Sequence, residues 1–375
     1  MRPLDGIRVL DFSTLLPGPL ATLMLAEAGA EVLKIERPGR GDEMRSYTPS
    51  FGDDSVNFAL LNRGKRSLAV DMKDPKAVER LHALVREADI VIEQFRPGVM
   101  DRLGLGYEAL SALNDKIIYC AITGWGQTGP SALVAAHDLN YVAETGLLGL
   151  AAGADGAPVL PPALIADIAG GTYPAVINIL LALRQRDRTG KGCKLDIAMA
   201  DNLFTFMYWA IGNAQAAGQW PTPGGDLVTG GSPRYQVYRT ADDRFIAAAP
   251  LEDKFWGNLL AAIEAPATLE ADAGSPAAAR AEVQRRIGAQ PASHWAARFA
   301  GRDVCCSIVP TLAEALAHPH FAARGVFAHS LEAAPGQQMA ALPVPVDGQF
   351  RAAAGAAGYP RLGEANRDWG FEPAS

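Results

Sequence analysis

Five short apolar runs in the first third of the chain, set apart by helix-like spacers, restrict the fold more than any other sequence feature. They are "IRVLDF" (7–12), "EVLKIE" (31–36), "RSLAVDM" (66–72), "DIVIEQF" (89–95) and "KIIYCAI" (116–122). Each reads as a buried strand. Between the first two, "LLPGPLATLMLAEAGA" opens with a Pro-Gly-Pro turn into a helix and stops at Gly29. Between the third and fourth, "DPKAVERLHALVREA" is an amphipathic helix opened by Asp74-Pro75. Repeated strand–helix–strand units predict right-handed parallel crossovers. The front half is therefore α/β, with a Rossmann-like, mostly parallel sheet. No GxGxxG follows the first strand, so the dinucleotide fingerprint is missing.

The later chain reads differently. Residues 151–165 are small and rich in Gly and Pro, a loop. "ADIAGGTYPAVINILLALRQRDRTG" predicts a helix to about Arg188, stopped at Gly190. "CKLDIAM" is a strand, and "ADNLFTFMYWAIGNAQAAG" one long helix. "PTPGGDLVTGGSPRY" is a linker. "RYQVYRT" and "RFIAAAP" flank "ADDR", a hairpin turn signal. Ala-rich helical segments run to about residue 326, which makes a second, smaller α+β unit. The Pro- and Ala-rich tail wraps over another part of the chain. The expected division is a large domain over 1–200, a linker helix and loop over 201–229, a small domain over 230–326, and a C-terminal segment over 327–375.

With 49% hydrophobic and 20% charged residues, the 375-residue chain fits a soluble globular protein. A net charge of −7 argues against nucleic acid or an anionic membrane as partner, but leaves room for an anionic small ligand at a local basic patch. The four cysteines (120, 193, 305 and 306) include no CxxC pair, which fits a reducing compartment and no structural zinc. The N-terminus lacks a signal-peptide pattern, and "YPAVINILLALRQR" is too short to span a bilayer. These features predict a cytoplasmic protein.

Arg37, "NRGKRS" (62–67), Lys73, Arg96 and Arg102 cluster at strand ends and turns. Ligands bind at the carboxyl ends of strands in open α/β sheets, and arginines pair with phosphates there. As a set they divide evenly between solvated turn residues and a polyphosphate site. "TGWGQTGP" (123–130) is a Gly-rich loop after a strand, either a close approach to ligand or an ordinary turn. His137, one of six histidines, stands in "AAHDLNY". Asp167, in "LIADIAGG", is either a helix cap or a reactive carboxylate in an apolar pocket. Glu252 opens another helix, where capping is the default. His318 and His320 have no further ligands nearby. No GxSxG supports a hydrolase triad. On spacing alone the chain is an α/β enzyme for a phosphate-bearing ligand.

The stretches "LDGIRVLDFS…PGP", "GAEVLKIERPG", "NRGKRSLAVDMK", "FRPGVMDRLGLGY", "IYCAITGWGQTGP", "AAHDLNY", "ADIAGG" and "RTGKGCKLDIAMAD" together resemble the family III CoA transferase / α-methylacyl-CoA racemase superfamily (CaiB/BaiF-like). The resemblance implies an interlocked homodimer, each chain with a Rossmann-like large domain, a small domain and a tail that returns to the large one. It implies a racemase that moves a proton at Cα of a 2-methylacyl-CoA, with His137 and Asp167 as the base pair and Glu252 hydrogen-bonded to the histidine. "AHDLNY" matches the racemase histidine motif, with Ala136 in place of a glycine. The resemblance puts Arg37, Val70, Asp71, Met72, Lys73, Gln94, Phe95, Arg96 and Arg102 around the CoA nucleotide. It puts Ala136, Asp138, Leu139, Asn140 and Tyr141 beside the thioester. Backbone N–H groups near Asp167 would face the enolate oxygen. No metal, nicotinamide or flavin is implied, and acyl-CoA is the substrate. The insert at 39–58 and the glycine pairs of "GGDLVTGGSPRY" resemble the transferase branch instead, in which Asp167 would be a nucleophile that carries CoA as a thioester. A non-catalytic acyl-CoA-binding protein is the remaining alternative.

Overall fold

The computed structural model describes residues 1–153, 155–266, 269 and 275–371. Parts of the expected 151–165 loop, the Ala-rich helices and the tail (154, 267, 268, 270–274 and 372–375) lie outside the described residues. Two compact units are present. The first holds Met1–Thr145, Pro162–Thr205 and Phe321–Ser375, and the second Gly146–Pro161 and Phe206–His320.

A six-stranded sheet organises the first unit: β1 (Arg8–Asp11), β2 (Glu31–Glu36), β3 (Arg66–Ala69), β4 (Ile90–Glu93), β5 (Ile118–Thr123) and β6 (Cys193–Ala198). Every neighbouring pair is parallel, in the order β3-β2-β1-β4-β5-β6. β4 and β5 are buried along their whole length, as strands covered on both faces must be. Helix α1 (Pro17–Glu27) connects β1 to β2. Proline fits its first turn, where an N–H would find no acceptor, and Pro17 through Leu25 are all buried. Helix α2 (Pro75–Val85) follows β3. The Asp74 carboxylate caps it by accepting the Lys76 N–H, and Leu81 and Val85 face the core.

Helix α3 (Asp138–Glu144) precedes α4 (Tyr173–Thr189), and α4 extends a wider, π-type turn at Ala166–Thr172. Gly170 allows that turn to pack on the chain after β6, since a Cβ there would lie 2.4 Å from the Met199 carbonyl oxygen. The helical run Ala166–Thr189 has 24 residues. By length and composition alone it could cross a bilayer, which corrects the reading of its apolar part as too short, although half of its apolar window is buried inside the protein. The segment expected as one long helix after β6 is three pieces, Met199–Leu203, Phe204–Met207 and Tyr208–Ala217. The middle piece, "FTFM", consists largely of aromatic and β-branched residues that lose rotamer freedom in a helix.

The C-terminal segment belongs to the first unit. Its strands β10 (Ser330–Ala334), β11 (Gln337–Ala340) and β12 (Ala356–Gly358) form a small sheet. Asn366 acts as an added sheet partner at the edge of the large sheet, accepting the Ala69 N–H at 2.9 Å and donating to the Ala69 carbonyl at 3.0 Å. In the second unit, β7 (Gln236–Arg239), β8 (Phe245–Ala248) and β9 (Cys306–Ile308) are antiparallel. The expected hairpin turn falls at Thr240–Arg244, and Tyr238, Ile246, Trp256 and Trp295 belong to the core of this unit. Gly146–Pro161, which lies within the first span expected from sequence, groups here. The Gly224 N–H donates to the Leu150 carbonyl at 3.0 Å.

Candidate active site

The chain direction from strand to strand reverses between β1 and β4, which is where open α/β sheets leave a crevice at their carboxyl ends. A cleft of about 390 Å³ lies there. Leu15 and Pro17 after β1, Gln94–Pro97 after β4, Ile122–Trp125 from β5 and Met199 after β6 line it, together with Ala136, His137, Asn140, Tyr141 and Asp167.

His137 stands at the N-terminal corner of α3. Its backbone N–H donates to Asn140 Oδ1 at 3.0 Å, and the Asn140 N–H donates back to the His137 carbonyl at 2.8 Å. The helix start is thus held by the backbone and by Asn140, while the exposed imidazole faces the cleft. Asp138 turns the other way. It is buried, and its Oδ1 accepts the Asp167 N–H at 2.9 Å. That bond ties α3 to the turn that carries Asp167. Burial pushes the Asp167 carboxyl up to about 7, with a smaller contribution from the Asp138 charge. Asp167 caps nothing, because the turn begins at Ala166 and its N-cap is Ile165. Burial pushes the Tyr141 phenol up to about 12, helped by the two carboxylates, and its hydroxyl donates to the Ala136 carbonyl.

The Gly-rich loop serves this arrangement from within. A Cβ on Gly124 would lie 2.3 Å from the Tyr141 ring, so the glycine makes room for the phenol. Trp125 meets the same ring edge-on, with centroids 4.9 Å apart. Thr123 Oγ1 and Trp125 Nε1 are buried with no hydrogen-bond partner among the described residues, and both residues line the cleft. The sequence reading did not single out either one. The expected oxyanion donors are already engaged, since the Asp167 N–H goes to Asp138 and the Ile168 N–H to the Leu164 carbonyl.

Gln94, Phe95 and Arg96 line the cleft, and Arg96 is the one Lys or Arg among the described residues that line it. Gln94 Oε1 accepts the Gly18 N–H at 2.8 Å, and Glu93, pushed up to about 7 by burial, accepts the Phe95 N–H at 2.7 Å. Arg37, Asp71, Met72, Lys73, Arg102, Asp138 and Leu139 are not among the lining residues. Arg37 donates to the Gly41 carbonyl. The Val70 side chain belongs to the hydrophobic core, 2% exposed. Two members of the basic set are structural: Arg63 pairs with Glu27 at 2.8 Å and Lys65 with Asp11 at 3.5 Å, all four within the first unit's interior. Glu252 is exposed at the N-cap of α5 (Asp253–Ala262) in the second unit and does not cap the helix with its side chain. No His, Cys, Asp and Glu cluster among the described residues could hold a metal.

Residues 4–366 match CoA-transferase family III. The chain belongs to that family. This family III enzyme is 34% identical to the human alpha-methylacyl-CoA racemase over 339 residues, 88% of this chain and 83% of the relative. It is also 34% identical to the acetyl-CoA:oxalate CoA-transferase of Acetobacter aceti over 356 residues, 92% and 90% of the two chains. A CAIB/BAIF family protein from Brucella suis superposes with a TM-score of 0.81 at 30% identity, covering 98% of each chain. The superfamily reading of the sequence and the mixed α/β fold with its large parallel sheet thus agree with both sequence relatives and solved structures.

Proposed function

We propose that this enzyme inverts the α-carbon of 2-methylacyl-CoA thioesters, with His137 and Asp167 as paired acid and base. The observation that carries the proposal is the meeting of these two side chains in one cleft, with the Asp167 carboxyl near 7. Racemisation needs a proton taken from one face of Cα and another delivered to the opposite face. A carboxyl that titrates near neutrality serves as base in one direction and as acid in the other. The second group is the His137 imidazole, whose ring nitrogens can accept or donate a proton. The enolate oxygen formed between the two transfers needs hydrogen-bond donors. Trp125 Nε1 and Thr123 Oγ1 are the candidates, being buried and without partners among the described residues. Arg96 would hold a phosphate of the CoA. Arg37, Asp71, Met72, Lys73 and Arg102 would follow the nucleotide further out.

Incubation with one enantiomer of a 2-methylacyl-CoA in D₂O tests this. The expected result is one α-deuterium per molecule, with loss of optical purity. A parallel incubation with a free carboxylate acceptor tests the transferase reading, which the equal identity to the Acetobacter aceti enzyme supports. Transfer of CoA without α-exchange would replace the racemase reading. Binding with neither reaction would leave a non-catalytic acyl-CoA-binding protein.

We also propose a cytoplasmic homodimer of interlocked chains. Association of two copies is supported by an exposed apolar stripe on α4, Tyr173, Ile177, Leu180 and Leu181, at helical spacing on one face. Sedimentation at twice the chain mass is expected. A monomer at micromolar concentration would overturn the assembly.

A further inference from the structure

Leu15 lines the cleft with φ at 61°, a left-handed conformation that residues with a Cβ rarely adopt. Such strain persists only where the surroundings hold it in place. Here the surroundings include Asp11, which accepts the Ser13 N–H at 2.9 Å, and a buried ion pair. Lys34 Nζ and Asp42 Oδ2 lie 2.9 Å apart, both side chains 0% exposed. Lys34 also donates to the Ser13 carbonyl at 2.7 Å. Asp42 accepts the Leu15 N–H with both carboxylate oxygens, each at 3.2 Å. The pair therefore grips the backbone on either side of Thr14, at the switch point of the sheet. Asp42 is fixed in turn: it accepts the Met44 N–H at 3.0 Å, and its own N–H donates to Glu36 at 2.9 Å.

We propose that the Lys34–Asp42 pair is a positioning device for the cleft, holding Leu15 left-handed so that its side chain forms the wall met by the acyl group. The assignment of an acyl group to this wall rests on the function proposed above, but the clamp itself does not. A purely stabilising role would not need a strained leucine at the cleft. A buried ion pair is also a poor stabiliser compared with apolar residues of similar size. Here the carboxylate oxygens are spent on a backbone N–H beside the site.

In Asp42→Asn the charge is lost and at most one acceptor oxygen remains. KM for a 2-methylacyl-CoA is expected to rise about tenfold, with kcat within about threefold, because only the wall moves. Glycine adopts the left-handed conformation without a Cβ penalty. In a Leu15→Gly background, Asp42→Asn should therefore change KM by less than about threefold. A tenfold effect in that background would overturn the proposal. Hydrogen exchange of the peptide covering residues 13–16 supplies a readout that needs no activity. Faster exchange is expected in Asp42→Asn, and unchanged protection would overturn the clamp. If the wild type turned over no thioester, the proposed reaction would fail while this arm still judged the clamp. Should Asp42→Asn not fold, the apolar pair Lys34→Met with Asp42→Leu removes both charges of the pair, while Asp11 keeps Lys65 as a partner at 3.5 Å. Faster exchange at residues 13–16 is expected there too, and wild-type protection would refute the proposal.

Discussion

His137→Ala lowers α-deuterium incorporation from D₂O by roughly 10²-fold or more, the usual worth of a positioned general base. The loss should fall on kcat, with KM little changed, because the imidazole acts on the proton and not on the CoA. The fold should survive the change. At this corner the His137 backbone N–H and carbonyl both bond to Asn140, and those two bonds do not depend on the imidazole. Melting within a few degrees of wild type checks that. The same variant separates the two branches of the family. A transferase needs only the Asp167 carboxylate to attack the thioester and carry CoA, so His137→Ala would leave CoA transfer within about threefold. Equal loss of exchange and transfer would mean that the histidine positions substrate, and the two-base reading would fail. Exchange at the wild-type rate in the variant would remove His137 from the chemistry altogether.

Several parts of this molecule could be read from the sequence for physical reasons. The apolar runs at β4 and β5 had no alternation, so a sheet covered on both faces was the natural reading, and the Asp74-Pro75 helix start carries its own cap. Strand order was not readable, because no local pattern says where a crossover lands. The His137 motif stood out because a rare residue type sat in apolar company. Its neighbour Asp138 looked like a ligand contact and instead holds the Asp167 N–H, a bond across 29 positions of chain. "NRGKRS" looked like a phosphate site for a similar reason: the acids that neutralise Arg63 and Lys65, Glu27 and Asp11, lie 36 and 54 positions away. Leu15 gave no signal at all, since a left-handed residue is usually announced by glycine.

Asp167→Asn should abolish either reaction, by roughly 10³-fold or more, and should also make the protein more stable in a pH-dependent way. The sign follows from where the proton sits. In the unfolded chain this carboxyl loses its proton near the ordinary value of 3.8, whereas in the folded chain it holds it to about 7. Between those values the folded state binds the extra proton, so wild-type stability falls as pH rises through that window and stays low above it. The shift corresponds to roughly 4 kcal/mol at most, less whatever solvent at this partly buried position screens. Asparagine has no proton to lose. The variant should therefore match the wild type near pH 4 and exceed it above pH 8, measured by urea denaturation at both. The pH dependence of catalysis gives the matching kinetic statement. When Asp167 removes a proton it must be ionised and His137 protonated, and when it delivers one the states are exchanged, so turnover of either enantiomer should pass through a maximum and fall on both sides of it. A transferase would show only the rising limb, because its nucleophile must be ionised. Equal stability of variant and wild type at pH 8 would mean that the carboxyl is not held near neutrality, and the proposed shuttle would lose its acid.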